Sequence, residues 1–264
     1  MENTVKESKK VVVKIGSSTI TSGDGTIDKE FIENLANQVK TLIDQGKRVV
    51  LVSSGARIAG VSTIGKWSRK EDINYKQALC AIGQVELMDA YRRIFNKYDI
   101  HIAQILLTKE DFESKARTLN IRNTLFTLLD EGVLPIINEN DTVCVEEIKI
   151  GDNDVLAART AALWGADLLV ILSDIEGIYD KNPSSNDDAK LIEKVTDPSE
   201  LENNISIGEK SSFGTGGIAT KIKAAKIVNS YGTSLIVAKG KEKDIILKLS
   251  EGTAKGTLFQ TDNQ

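Results

Sequence analysis

Short apolar runs alternate with stretches of helical period along the chain. Val11–Ile15, Val49–Val52, Ile100–Leu107, Val133–Ile137 and Leu168–Leu172 are rich in Val, Ile and Leu. Near-continuous runs of this kind predict strands covered on both faces. Between them, Phe31, Leu35, Val39 and Leu42 recur at spacings of three and four, with Asp28 placed to cap the helix and Gly46 just past its end. Ala78, Ile82, Val85, Met88, Tyr91 and Phe95 mark a longer helix. Thr118 to Glu131 reads as a helix ended by Gly132, Asp154 to Leu163 as one ended by Gly165, and Ala219 to Ser230 as one ended by Gly232. Ser234–Val237 adds a last core strand. This alternation predicts an α/β protein with a mostly parallel sheet and helices on both faces.

Only three prolines occur, and no Pro/Gly/Ser-rich linker divides the chain. One domain over residues 10–259 is therefore expected, preceded by a disordered N-terminus at 1–9. Asp180–Ala189 reads as a polar surface turn. It mimics a calcium loop at alternate positions but has Ser185 where that loop needs glycine and Leu191 where it needs glutamate.

Composition narrows the function classes. The chain has 264 residues, of which 41% are hydrophobic and 27% charged, so it can bury a full core. The net charge of −4 argues against a broad nucleic-acid face, though not against small anions. A single histidine, His101, excludes His-pair zinc sites and most His-dependent triads. Cys80 and Cys144 form no CxxC, so a reducing compartment fits. The polar start MENTVKESKK is unlike a secretory signal. No apolar run approaches the roughly 18 residues of a membrane span. The expectation is a cytoplasmic protein that engages neither membrane nor nucleic acid.

Two familiar phosphate motifs are missing. Gly16-Ser17-Ser18-Thr19, not GxGxxG, follows the first strand. Gly46-Lys47, Gly65-Lys66 and Gly240-Lys241 each lack the Ser or Thr of a P-loop.

Four features ask for a chemical reason. Lys14 interrupts the apolar run Val11–Ile15, where an unpaired ammonium is costly. Either the strand lies at an edge and the lysine snorkels, or the lysine points at a ligand beyond the strand's carboxyl end. Ser53-Ser54-Gly55-Ala56 is a second small-residue turn at a strand end, readable as a plain strand-to-helix turn or as part of a site. Asn138-Glu139-Asn140-Asp141 and Gly151-Asp152-Asn153-Asp154 place seven amide or acid residues around a short excursion, Thr142–Ile150, that could be a hairpin. Caps need one such residue each, so a pocket for an amino-acid ammonium, or for orienting lysines near a metal, accounts for the surplus. Finally, Gly214-Thr215-Gly216-Gly217-Ile218-Ala219-Thr220-Lys221 opens a long helix. Glycines permit close approach, helix N-terminal amides bind anions, and a lysine there makes sense if it shares a bound phosphate. Lysines, a phosphate-cradling loop and clustered carboxylates together suit phosphoryl transfer.

The order VVVKIGSSTI, VLVSSGA, INENDTV, KIGDND, ILSDIEGIYD, GTGGIATK and KGTLF resembles the amino-acid kinase family, over about residues 10 to 259. Within it the motifs look like those of the members that phosphorylate the γ-carboxylate of L-glutamate with ATP, opening proline biosynthesis. The resemblance implies a three-layer α/β/α sandwich on a mostly parallel central sheet. It implies catalytic roles for Lys14 and Lys221 on the ATP phosphates, with Asp154 holding both lysines. Ser54, Asp141 and Asn153 would bind glutamate. Lys14, Ser173, Asp174, Thr215, Gly216, Gly217, Ile218, Ala219, Thr220 and Lys221 would bind ATP. Mg²⁺ would be carried by the nucleotide, with no protein metal site. Feedback inhibition by L-proline and a homo-oligomer are also implied. Two departures stand out: no C-terminal PUA domain is expected beyond Lys255–Phe259, and Ile218-Ala219 stands where methionine is often found.

Rival readings are kinases for N-acetylglutamate, carbamate, aspartate or UMP, and a non-catalytic amino-acid sensor. An acetylated amine carries no charge to pair with Asp141. The Gly-Gly run usual in acetylglutamate kinases is replaced by Ser17-Ser18. A sensor needs neither Lys14 nor Lys221.

Overall fold

The protein was analysed as a computed structural model, which describes residues 1–65, 72–144, 153–181, 183, 185–208 and 217–260. In chain order the elements are α1 (Glu2–Glu7), β1 (Lys10–Ile15), α2 (Ser17–Ile20), α3 (Lys29–Asp44), β2 (Arg48–Ser53), α4 (Ala56–Ile64) and α5 (Ile73–Phe95). After a 3₁₀ turn, Asn96–Tyr98, come β3 (Ile102–Leu107), α6 (Lys109–Glu113), α7 (Lys115–Asp130) and β4 (Leu134–Glu139). The rest is α8 (Asp154–Trp164), β5 (Leu168–Ser173), β6 (Lys194–Val195), α9 (Pro198–Gly208), α10 (Gly217–Asn229), β7 (Ser234–Lys239), α11 (Ile245–Glu251) and β8 (Thr257–Phe259).

Two compact units are distinguishable: residues 1–14 with 154–264, and residues 15–153. The first is discontinuous in sequence. Its boundaries fall at the end of β1 and at the start of α8, inside regular structure, so no linker composition announces them.

In the first unit the strand order is β1-β5-β7-β8-β6. Parallel β5–β7 pairing sets Leu168 against Ser234 and Ser173 against Lys239, and β8 runs antiparallel to β7. Asp167 fastens the start of β1, its carboxylate accepting from the amides of Lys9 and Lys10 at 2.8 Å each. Every residue of β5 is buried. Successive side chains point to opposite faces, so both faces of this strand are covered. Helices α8 and α10 pack on one another, and α1 packs on α11. The N-terminus differs from the sequence expectation: Glu2–Glu7 are helical and Val5 is fully buried.

In the second unit the order is β3-β4-β2, all parallel, with Ile102 opposite Leu134 and Leu51 opposite Ile136. β4 is buried along its length. The predicted cap is in place, Asp28 accepting from the Phe31 amide at 2.9 Å. Asp72, which the sequence reading did not name, caps α5 by accepting from the Tyr75 amide at 3.1 Å. Gly46 and Gly132 end α3 and α7 with positive φ, as a helix C-terminus favours. Helices α4 and α5 touch backbone to backbone. A Cβ on Gly60 would lie 1.9 Å from the Leu79 carbonyl oxygen, and one on Gly83 1.7 Å from that of Ala56.

The polar stretch after β5 forms a closed turn. Asp180 donates its amide to the Lys190 carbonyl at 3.0 Å, and its carboxylate accepts from the Lys190 amide at 2.8 Å.

Candidate active site

In the first unit three predicted residues converge. Lys14 lies near the end of β1, Asp154 opens α8, and Lys221 sits one turn into α10. Asp154 Oδ1 is 2.7 Å from Lys14 Nζ, and Asp154 Oδ2 is 3.1 Å from Lys221 Nζ. Thr220 Oγ1 donates to the same Oδ2 at 2.9 Å, and Lys221 Nζ also donates to the Gly217 carbonyl at 3.0 Å. Exposure is 4% for Lys14, 0% for Asp154 and 4% for Lys221. At that depth Lys14 does not snorkel to water. Two ammonium groups share one carboxylate, so the three side chains carry one positive charge in excess, in a place where charge is costly to hold. Asp154 at the first position of α8 also suits the positive end of that helix.

The other nucleotide candidates of this unit are placed as follows. Ser173 ends β5, is buried, and its hydroxyl donates to Asp174 Oδ1 at 3.0 Å. Asp174 itself is exposed. Gly217 begins α10, Ala219 is exposed, and Ile218 turns its side chain inward, leaving its backbone as the part available to a ligand. Thr215 and Gly216 lie outside the described residues.

In the second unit one predicted acceptor residue, Asn153, belongs to a buried network of neutral groups. Asn153 Nδ2 donates to Asn138 Oδ1 at 2.7 Å and to the Ser53 carbonyl at 3.4 Å. Asn138 Oδ1 also accepts from the Glu139 amide, and Asn138 Nδ2 donates to Gln84 Oε1, each at 2.8 Å. Ser54 is buried, and its amide donates to the Ile15 carbonyl at 3.0 Å. Gly55, at φ 109°, lets the chain turn from β2 into α4. Asp141 is half-buried and lines a cavity of about 610 Å³ with Cys80, Gln84, Val85 and Glu139. Burial first, and then the neighbouring Asp141 carboxylate, push the Cys80 thiol far above its ordinary range, so it stays protonated. Both cysteines are free and buried. Of the excursion Thr142–Ile150, residues 145–150 lie outside the described ones, as do Gly151 and Asp152.

Sequence reasoning did not single out Gln84 or Tyr91. Both sit on α5, where the apolar period drew attention to packing. Their signal is the polar end of a side chain on a helix that buries one face.

The amino acid kinase family matches residues 9–239. This chain belongs to the amino acid kinase family. Glutamate 5-kinase of Alkaliphilus metalliredigens is 63% identical over 260 residues, covering 98% of this chain and 98% of that protein. Glutamate 5-kinase of Alkaliphilus oremlandii is 61% identical over 259 residues, with the same coverage. Among solved structures, UMP kinase from Ureaplasma parvum superposes with a TM-score of 0.68 at 18% identity, over 96% of this chain and 99% of that one. That likeness shows the shared amino acid kinase fold, an α/β fold on a mostly parallel sheet, and leaves the acceptor to be read from the site.

Proposed function

We propose that this chain transfers the γ-phosphoryl group of ATP to the γ-carboxylate of L-glutamate, giving L-glutamyl 5-phosphate and ADP, the opening step of proline biosynthesis. The observation that carries the reading is the buried Lys14–Asp154–Lys221 cluster. Its excess positive charge favours an anion that gains negative charge at the ends of the lysine side chains. The high identity to proteins named glutamate 5-kinase supports glutamate as the acceptor.

The chemistry asks little of the protein beyond placement. A glutamate carboxylate oxygen forms a bond to the γ-phosphorus, the bond to the β,γ-bridging oxygen breaks, and ADP leaves with that electron pair. The nucleophile is already ionised, so no side chain has to remove a proton. His101, exposed at the surface, is not needed. Lys14 and Lys221 bind the phosphates and neutralise charge on the transferring group, while Asp154 keeps both ammonium groups in register. Ser173, Asp174 and the segment from Thr215 to Lys221 hold the nucleotide. Ser54, Asp141 and Asn153 bind glutamate, with Asp141 facing the ammonium.

Among the described residues no group of three or more His, Cys, Asp or Glu side chains converges in a way that could hold a metal ion. Both oxygens of Asp154 are engaged by lysine, which leaves that carboxylate unsuited to a cation. On this reading Mg²⁺ would be carried by the ATP phosphates, where it would supply further charge neutralisation.

L-Proline is the natural feedback inhibitor on this reading, and a homo-oligomer the natural assembly. No described helix is long and apolar enough to cross a membrane. The reading takes the enzyme as cytoplasmic, with small molecules rather than nucleic acid or membrane as its partners.

The test is ADP release with Mg²⁺-ATP and a panel of acids, with hydroxylamine trapping the acyl phosphate. Turnover is expected with L-glutamate. Aspartate, one methylene shorter, is expected to fall by about 10²-fold, since misplacement of roughly 1 Å can cost that much. Turnover of N-acetylglutamate without turnover of glutamate contradicts the reading.

A further inference from the structure

Tyr91 lies on the inner face of α5, with no exposed surface, and is a tyrosine where a phenylalanine would fill the same space. Its hydroxyl is 2.9 Å from Ser53 Oγ. Either oxygen could donate across that contact. Ser53 has one hydroxyl hydrogen, and the Ser54 carbonyl lies 3.0 Å from its Oγ. Both bonds are made together only when Ser53 donates to that carbonyl and accepts from Tyr91. A chain of two hydrogen bonds thus runs from Tyr91 through Ser53 to the main chain of Ser54. Burial pushes the Tyr91 phenol above its usual range, so it keeps the proton that it donates.

The turn this chain reaches is also held by one backbone bond and by the Asn153 side chain. The Ser54 amide donates to the Ile15 carbonyl, and the Ser53 carbonyl accepts from Asn153 at 3.4 Å. Gly55 follows at a positive φ, so the peptide planes on either side of Ser54 are set by a few bonds. The Tyr91 ring is itself fixed against Phe95, with ring centroids 5.8 Å apart and planes tilted by 53°. A rigid donor on a long helix therefore aims the Ser54 carbonyl, and with it the Ser54 side chain.

We propose that Tyr91 is a positioning residue for the acceptor amino acid. Through Ser53 it fixes the orientation of Ser54, so that the Tyr91 hydroxyl sets affinity for glutamate without touching it. This rests on the reading of Ser54 as an acceptor-binding group.

The experiment uses the full-length enzyme and steady-state kinetics with each substrate varied. Tyr91→Phe removes one hydroxyl and keeps the ring. The KM for glutamate is expected to rise by about 3- to 10-fold, the usual net weight of one hydrogen bond. The KM for ATP and kcat are expected to change less than about 2-fold, which a merely structural loss would not reproduce. Ser53→Ala breaks the same chain and is expected to match Tyr91→Phe. The double variant is expected to be no worse than either single variant, since both act through one path. Equal movement of both KM values, no movement of either, or additive effects in the double variant overturns the inference. Ser54→Ala separates the two levels. An unchanged glutamate KM there overturns the acceptor role of Ser54 and the inference with it. A raised KM in Ser54→Ala with an unmoved KM in Tyr91→Phe overturns the inference alone.

Discussion

The two units solve different electrostatic problems with different materials. In the first, two lysines meet within 3.1 Å of one carboxylate, and all three side chains are almost free of solvent. In the second, the bonds that link Gln84, Asn138, Asn153, Ser53 and Tyr91 join neutral amides and hydroxyls. Buried like charges that share a counter-charge store a demand for an anion, and that demand grows as negative charge develops on a transferring group. A neutral network stores no such demand and serves to fix direction. The contrast teaches that rate should depend on the first unit's charges, and acceptor affinity on the second unit's geometry.

The strongest way to break this division is through the lysines. Lys14→Ala and Lys221→Ala are each expected to lower kcat by about 10²-fold or more, as loss of one preorganised electrostatic group does. Arginine is expected to rescue poorly, because its planar fork does not reproduce a compact ammonium on a flexible stem. Steady-state kinetics check both.

Next in size is the α4–α5 contact. Gly83→Ala puts a methyl group against the Ala56 carbonyl, where only 1.7 Å is available to its Cβ. Thermal unfolding should show a loss of about 1–3 kcal/mol, the cost of overpacking. An unchanged Tm would show that the helices separate freely at that point.

A smaller and more selective effect is expected at Asp141. Asp141→Asn keeps the shape and removes the charge, so the glutamate KM should rise by roughly 10-fold, in line with about 1.5–3 kcal/mol for a charged hydrogen bond. The ATP KM should stay put. Equal loss for both substrates would show that Asp141 organises more than the acceptor side.

The smallest expected effect is none at all. Cys80 and Cys144 are buried and free, so strong thiol reductant should leave activity intact. Loss of activity on reduction would place a disulfide where the structure has none.

What was readable in the sequence follows the same contrast. Lys14 announces itself because a charge interrupts an apolar strand, and Asp28 because caps have fixed spacing. Helix α4 went unread: ARIAGVSTI shows no apolar stripe, since it packs through small residues such as Gly60 against the backbone of α5. Helix α1 buries only Val5, and one apolar residue makes no period. β6 and β8, of two and three residues, are too short to alternate. Asn138 was visible within an amide–acid cluster, but its partner Gln84 was not, because a neutral side chain on a helix looks like any solvated position. The Tyr91 hydroxyl was hidden by its own ring, which fits the apolar period as phenylalanine would.

The central claim is that Lys14, Asp154 and Lys221 act as one unit on the transition state. The most direct test is kcat and the ATP KM for Asp154→Ala, Lys221→Ala and the two combined. A large fall in kcat is expected for each single variant, and a combined loss well below the product of the two, because groups that act together are not additive. A rise confined to the ATP KM with kcat intact, or losses that multiply in full, would contradict it.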